Sequence, residues 1–310
     1  MGLHETKAEP AINSDSLIHD EIILFNFITL NFKTDITQIY HKNKTPYLPS
    51  SAMLSKNRAR FFISLQRKKE RDINRLFVIE GDKVVREYLL TGKRVVSLVA
   101  KPEWLSQLPL SLTAKCDEII QVSYEELKSI STLKSPHNAL AIVPYAPDRS
   151  APLPDENQLF AVLENIQDPG NMGTIVRAAA WFGIEEIICS ENCVDIYNPK
   201  VIQATMGAFN RVEVSYCGLA GYLEKAGSEG ITVYSTSLEG ESIYDHPLSD
   251  RGLILFGNES KGVSAEIERY ADTRLFIPGR GIENGLGIES LNVSMAASIV
   301  FSDFARRRVI

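Results

Sequence analysis

Short apolar runs of strand length, each handing over to an amphipathic stretch, recur along this chain, and that alternation narrows its possible folds more than any other feature. Beyond residue 158, strands are expected at 160–164, 186–189, 212–215, 231–234, 253–256 and 274–277. Helices are expected at 174–182, 200–206, 219–225, 265–270 and 291–307. Strand and helix in turn imply an α/β architecture, a mostly parallel sheet with helices on both faces. A smaller alternation precedes it, with helices at 59–71, 83–90 and 124–130 and strands at 76–79, 95–100, 118–122 and 139–144. The reading is therefore a small α/β domain over 53–147, a Pro-rich polar linker at 148–157 and a second α/β domain over 158–310.

Residues 1–52 form an N-terminal extension expected to be poorly ordered, with Met53 as the natural start. Their apolar run at 21–32 is too short to span a bilayer. It also lacks the basic flank and small-residue cleavage site of a signal peptide. A soluble, cytoplasmic protein without membrane attachment is expected.

The net charge of −6 divides unevenly. Residues 53–150 carry 17 Lys/Arg against 11 Asp/Glu, whereas residues 151–310 carry 12 against 22. A basic module beside an acidic one suggests that the first touches phosphate. The candidates are Lys56, Arg58, Arg60, Arg67, Lys68, Lys69 and Arg71, followed by Arg75; a solvated helix face is the alternative. Cys116, Cys189, Cys193 and Cys217 are too scattered for a disulfide framework and lack the paired spacing of a zinc site. Buried thiols and no metal are expected.

Three strand-to-loop junctions carry the chemistry, and ligands of open α/β sheets bind outside such strand ends. In the first, Leu163 to Arg177, a strand ends, Pro169-Gly170 turns the chain, and a helix starts near Thr174 or just before it. Asn171 and Arg177 can both lie near the mouth of that helix if Arg177 reaches back towards its N-terminus. A capped helix with a surface arginine explains the stretch equally well. The second, Leu253 to Ser264, spaces Gly257 and Gly262 like a phosphate loop, but Val263-Ser264 stand where Lys-Ser/Thr is required. That excludes ATP or GTP binding of this type, leaving either a backbone approach to another ligand or a tight turn. The third, Phe276 to Ser294, spaces Gly279, Gly281 and Gly285 one residue too long for a dinucleotide fingerprint. Ser290 is the expected cap of the last helix, and the small residues Ser294, Ala296, Ala297 and Ser298 permit close packing.

Together these segments resemble the SpoU/TrmH family of RNA 2′-O-methyltransferases, part of the SPOUT superfamily, over roughly residues 56–308. Asn171, Gly173 and Arg177 are similar to the family's first motif, and Gly257, Glu259 and Gly262 to its second. Ser290-Leu291-Asn292-Val293-Ser294 are similar to its third. Asn198-Pro199-Lys200-Val201 and Met206-Gly207-Ala208 resemble an intervening segment. The basic first domain resembles the family's substrate-binding domain, related to RNA-binding ribosomal proteins, through Glu80-Gly81-Asp82-Lys83-Val84-Val85.

The resemblance implies methylation of a ribose 2′-hydroxyl in structured RNA, ribosomal ahead of transfer RNA, with S-adenosylmethionine as donor. It implies catalytic roles for Arg177, Asn171, Glu259, Ser290 and Asn292, and cofactor contacts at Gly257, Gly262, Ile277, Pro278 and Leu291. It also implies RNA contacts from the basic run, a C-terminal trefoil knot and a homodimer whose site draws on both subunits. A sulfonium is already an activated electrophile, so no metal is required. Arg177 either removes the ribose proton or, since guanidinium normally stays protonated, orients the hydroxyl beside a phosphate. Two departures stand out: the path from Ile277-Pro278 to Ser290 is longer than is usual in relatives, and Gln203 stands where an arginine often occurs. A catalytically silent RNA-binding protein on the same fold is the first alternative; a nucleotide-dependent metabolic enzyme is the second.

Overall fold

The computed structural model describes residues 54–279 and 290–308. The extension 1–52, the expected start at Met53 and most of the long loop 279–289 lie outside the described residues.

The first sheet is built from β1 (Leu76–Glu80), β2 (Ser97–Ala100), β3 (Ile119–Gln121) and β4 (Ala139–Pro144) in the order β1-β4-β2-β3. Both β1 and β2 run antiparallel to β4, and β2 is parallel to β3. The carboxyl ends of β1, β2 and β3 therefore share one edge with the start of β4. Helices α1 (Lys56–Ser64), α2 (Lys68–Asn74), α3 (Asp82–Leu90), α4 (Pro102–Leu105), α5 (Leu110–Thr113) and α6 (Tyr124–Ile130) complete this part.

The single helix expected over 59–71 is thus two helices, and the break has a cause. Leu65 is fully buried, and Arg67 is extended (φ −89°, ψ 132°). The carbonyls freed at Leu65 and Gln66 accept hydrogen bonds from the Arg71 guanidinium at 3.1 and 2.8 Å. The turn and the buried cation satisfy each other.

The second sheet is wholly parallel. Its strands are β5 (Leu159–Leu163), β6 (Glu186–Ser190), β7 (Glu213–Cys217), β8 (Thr232–Ser237), β9 (Glu241–Ser242), β10 (Gly252–Phe256) and β11 (Thr273–Phe276), in the order β7-β6-β5-β10-β8-β11-β9. Its helices are α7 (Pro169–Trp181), α8 (Pro199–Thr205), α9 (Leu219–Ser228), α10 (Ala265–Glu268) and α11 (Val293–Arg308). Every residue of β5 and β10 is buried, which explains why these strands read as continuous apolar runs. Leu159, Ala161 and Leu163 face α7 and α11, while Phe160 and Val162 face α9. The chain builds outward from β5 through β6 to β7, then returns to place β10 at β5's other side. That order is compatible with the threading the family resemblance implies.

The stretch 148–157 does not hang free between the sheets. Ala151 and Leu153 pack on the second core, and the Pro152 and Pro154 carbonyls accept from Tyr222 Oη and Arg251 Nε at 2.8 and 2.9 Å. The two sheets are joined through side chains. Tyr197 stacks on Tyr145 with ring centroids 3.9 Å apart and meets Phe77 at 4.6 Å. Arg71 pairs with Asp195 at 2.6 Å. Among the described residues, no helix is long and apolar enough to cross a membrane.

Candidate active site

β5 and β10 lie side by side, with Leu163 opposite Phe256, so the first two motif loops leave the sheet together. After β5, Asp168 accepts from Asn171 N at 2.8 Å and caps α7, with Pro169 in its first position. Both are helix-start signals. The helix therefore begins five residues before Thr174, and Asn171 falls in its first turn. Gly173 lets α7 lie directly on α8: a Cβ there would collide with Ala204 and sit 2.8 Å from the Val201 carbonyl.

After β10, the chain doubles back within a few residues. Asn258 N donates to Gly262 O at 3.0 Å, and Gly262 N donates to Asn258 O at 2.9 Å. Gly257 would overlap the Gly262 backbone if it carried a Cβ, and Gly262 adopts φ +67°. These glycines shape the loop, and the loop turns Glu259 towards α7.

Three side chains from the three motifs then meet. Asn171 Nδ2 donates to Glu259 Oε1 at 2.9 Å, and Asn171 Oδ1 accepts from Asn292 Nδ2 at 2.9 Å. Asn258 Nδ2 donates both to Glu259 Oε2 at 3.2 Å and to the Asn165 carbonyl at 2.9 Å. An ionised carboxylate only accepts, so Glu259 fixes which way each amide in the chain points. At the other end, Asn292 Oδ1 accepts from Ser294 N and Ser294 Oγ at 2.9 and 2.6 Å. Asn292, rather than the expected Ser290, is therefore the cap of α11. Its side chain serves the helix and Asn171 together, which Ser290's shorter side chain, two residues earlier, does not do.

Ser290, Leu291 and Arg177 are exposed and are not tied into this cluster. Arg177 has no hydrogen-bond or ion-pair partner among the described residues. It lies on an exposed α7 stripe with Gly170, Thr174 and Trp181, the last 83% exposed. Of the expected cofactor contacts, Ile277 packs against the second core and Pro278 is exposed. Because β10, β8 and β11 are neighbours, Gly257, Leu238 and Ile277 all follow strands at one stretch of the sheet's carboxyl edge. Leu238 exposes an apolar side chain there, at 63%, and Leu291, next to Asn292, is 45% exposed. Apolar surface beside strand-end backbone suits an adenosine-bearing cofactor.

The basic run requires a correction. Arg71 is 2% exposed, and its guanidinium is engaged by Leu65, Gln66 and Asp195, so it holds the two domains together and cannot grip phosphate. Arg58, Arg67 and Lys68 pair with Glu118, Glu70 and Asp72. Lys56, Arg60 and Lys69 stay exposed with no partner among the described residues.

Sequence reasoning missed Asn258 and Asp168. The Asp-Pro-Gly start of α7 and the Gly-Asn turn after β10 were the available signals. One of the buried thiols expected from the sequence also has a structural role. Cys193 accepts from Ile166 N and donates to the Leu163 carbonyl, both at 3.3 Å, which anchors the first loop. Hydrogen bonding to Cys189, stronger than the opposing burial, draws its thiol down to about 7. Among the described residues, no group of three or more His, Cys, Asp or Glu side chains could hold a metal.

A parallel α/β sheet whose three motif loops meet at neighbouring strand ends, joined to a separate basic domain, is the build of an RNA methyltransferase. Residues 158–302 match the SpoU rRNA methylase family, and residues 56–141 match the MRM3-like substrate-binding domain. A solved structure of a putative TrmH-family RNA methyltransferase from Porphyromonas gingivalis is 34% identical, with a TM-score of 0.73, over 83% of this chain and 100% of that one. An S-adenosylmethionine-bound rRNA methyltransferase from Sinorhizobium meliloti is 25% identical, with a TM-score of 0.72, over 84% and 97%. The 23S rRNA (guanosine(2553)-2′-O)-methyltransferase RlmP of Bacillus subtilis is 28% identical over 76% of this chain and 91% of its own length. The chain belongs to the SpoU/TrmH family of RNA methyltransferases.

Proposed function

We propose that this protein moves the methyl group of S-adenosylmethionine onto a ribose 2′-hydroxyl of ribosomal RNA. The observation that carries this reading is the Asn171–Glu259–Asn292 cluster, one residue from each motif, hydrogen-bonded at the adjoining ends of β5 and β10. The donor supplies an electrophilic methyl on sulfur. As the O–CH3 bond forms, the S–CH3 bond breaks, the sulfonium becomes a neutral thioether and the hydroxyl proton leaves to solvent.

The protein's task is alignment, which can account for much of such a barrier. Asn171, with its amide orientation fixed by Glu259 and Asn292, positions the ribose. Arg177, exposed and without a partner among the described residues, holds a neighbouring phosphate and orients the hydroxyl; a guanidinium has no free lone pair with which to take the hydroxyl proton. The exposed α7 stripe with Trp181 suits a second copy of the chain, which would bring Arg177 into a shared site. Tryptophan and arginine are enriched among the residues that anchor such faces. We place the protein in the cytoplasm, one compartment where ribosomal RNA is met.

The test is methyl transfer from labelled S-adenosylmethionine to ribosomal RNA and to transfer RNA prepared without the modification. Labelling of ribosomal RNA that disappears in Arg177→Ala, with RNA binding retained, supports the reading. Labelling of transfer RNA alone would reassign the substrate. RNA binding without any transfer by the wild type would make this a silent RNA-binding protein.

A further inference from the structure

One loop of the substrate-binding domain reaches the helix that abuts the candidate active site. Gly173, two residues from Asn171, lies against Ala204 of α8. The neighbouring Gln203 donates from Nε2 to Thr132 Oγ1 at 2.8 Å. Loop 131–138 of the first domain is thus clasped to the end of α8 that abuts the start of α7.

That loop is held rigidly at both ends by carboxylates. Glu80 accepts from Ser131 Oγ, from Thr132 N at 3.1 Å and from Thr132 Oγ1 at 2.5 Å. Asp82 accepts from Asn138 N at 2.7 Å and from Asn138 Nδ2 at 2.6 Å. Two acids that would repel phosphate are thereby committed to neutral donors. Between the staples, Lys134, Ser135 and His137 are exposed and have no partner among the described residues. The basic run on α1 and α2 is the reverse case, with most of its cations already neutralised.

The loop ends where a cavity begins. Lys101 N donates to the Asn138 carbonyl at 2.9 Å, and Lys101 forms one wall of a cavity of about 570 Å³ whose other walls include Glu103, Gln121 and Tyr124. It opens at the carboxyl ends of parallel β2 and β3, where α/β sheets place ligands. Tyr124 is 39% exposed, with Lys128 Nζ 5.9 Å from its ring centroid. A wall carrying both Lys101 and Glu103 suits a neutral base with donors and acceptors better than a phosphate.

We propose that loop 131–138 and the adjoining Lys101–Tyr124 cavity are the dock for an unpaired segment of the substrate RNA, with phosphate on Lys134 and one base stacked on Tyr124. The proposal rests on the RNA methylation reading above.

Steady-state methylation of ribosomal RNA tests it, with the S-adenosylmethionine Kd measured on each variant as proof of folding. Lys134→Glu with His137→Glu should raise the RNA KM at least tenfold. It should also lower the salt dependence of binding by roughly one contact's worth, a slope change of about 0.7 for a single strand. Tyr124→Ala should raise KM about 5- to 160-fold, the usual range for losing a base–aromatic stack, and Tyr124→Phe should restore it. Lys225→Glu, on α9, controls for net charge. Wild-type KM in the loop variant, or a Tyr124→Phe loss equal to that of Tyr124→Ala, would overturn the dock while leaving the methylation reading intact. Absence of transfer by the wild type would overturn both.

Discussion

Replacing Arg71 with methionine separates its structural role from the phosphate contact its sequence neighbourhood suggests. The substitution removes two hydrogen bonds to backbone carbonyls and the 2.6 Å pair with Asp195, whose side chain is 13% exposed. Breaking a buried ion pair by deleting one partner costs about 3–5 kcal/mol. Burying the methionine side chain returns about 1 kcal/mol of that. Among the described residues Arg71 Nε is buried without a partner, so the native pair is imperfect and the lower end applies. The expected loss is about 2 kcal/mol, read from urea denaturation followed by circular dichroism. Adding Asp195→Asn should cost less than the sum of the two single changes, because it removes the stranded charge. A stability loss below about 1 kcal/mol, the scale of one ordinary hydrogen bond, together with weakened RNA binding, would refute the reasoning and return Arg71 to the RNA surface.

Gly173→Ala should destabilise by about 1–3 kcal/mol, the usual cost of overpacking, and reduce methyl transfer, because its Cβ would push α8 away from α7; a melting temperature equal to wild type would contradict this. Asn171→Ala should lower kcat by about 100-fold, the scale of a small misplacement of reacting groups, with the S-adenosylmethionine Kd unchanged; a loss seen only in KM would point to a binding role. Arg149→Met strands Glu186, which is 6% exposed, at a cost of about 2 kcal/mol near neutral pH, less than for a fully buried pair. Burial is the largest influence on Glu186 and raises its carboxyl despite Arg149. The folded variant therefore binds that proton more tightly than the unfolded chain, and its deficit should shrink as pH falls towards the ordinary carboxylate value of about 4.3. A deficit independent of pH would count against this account.

Much of the fold is legible locally. Strands β5 and β10 are apolar throughout because both faces are covered, and neither requires knowledge of its neighbours to be read. The helix break before Arg71 is different, since the acid that draws that arginine inward, Asp195, lies 124 positions away. A run of cations looks the same whether it meets phosphate or carboxylate. The cap of α11 shows another limit. Ser290, Asn292 and Ser294 all have capping chemistry, and the choice was settled by reach to Asn171 across the sheet edge. Asn171, Glu259 and Asn292 could be named from motifs, whereas Asn258 required the geometry of the loop after β10.

The partners of the central asparagine arrive from positions 88 and 121 residues further along, and the second of them caps α11. A nascent chain therefore cannot bring Asn171, Glu259 and Asn292 together until residue 292 has left the ribosome. The basic domain, complete far earlier, is free to fold and meet RNA beforehand, since domains generally fold as units in order of synthesis. The module expected to meet RNA is thus finished well before the cluster that closes across the sheet edge.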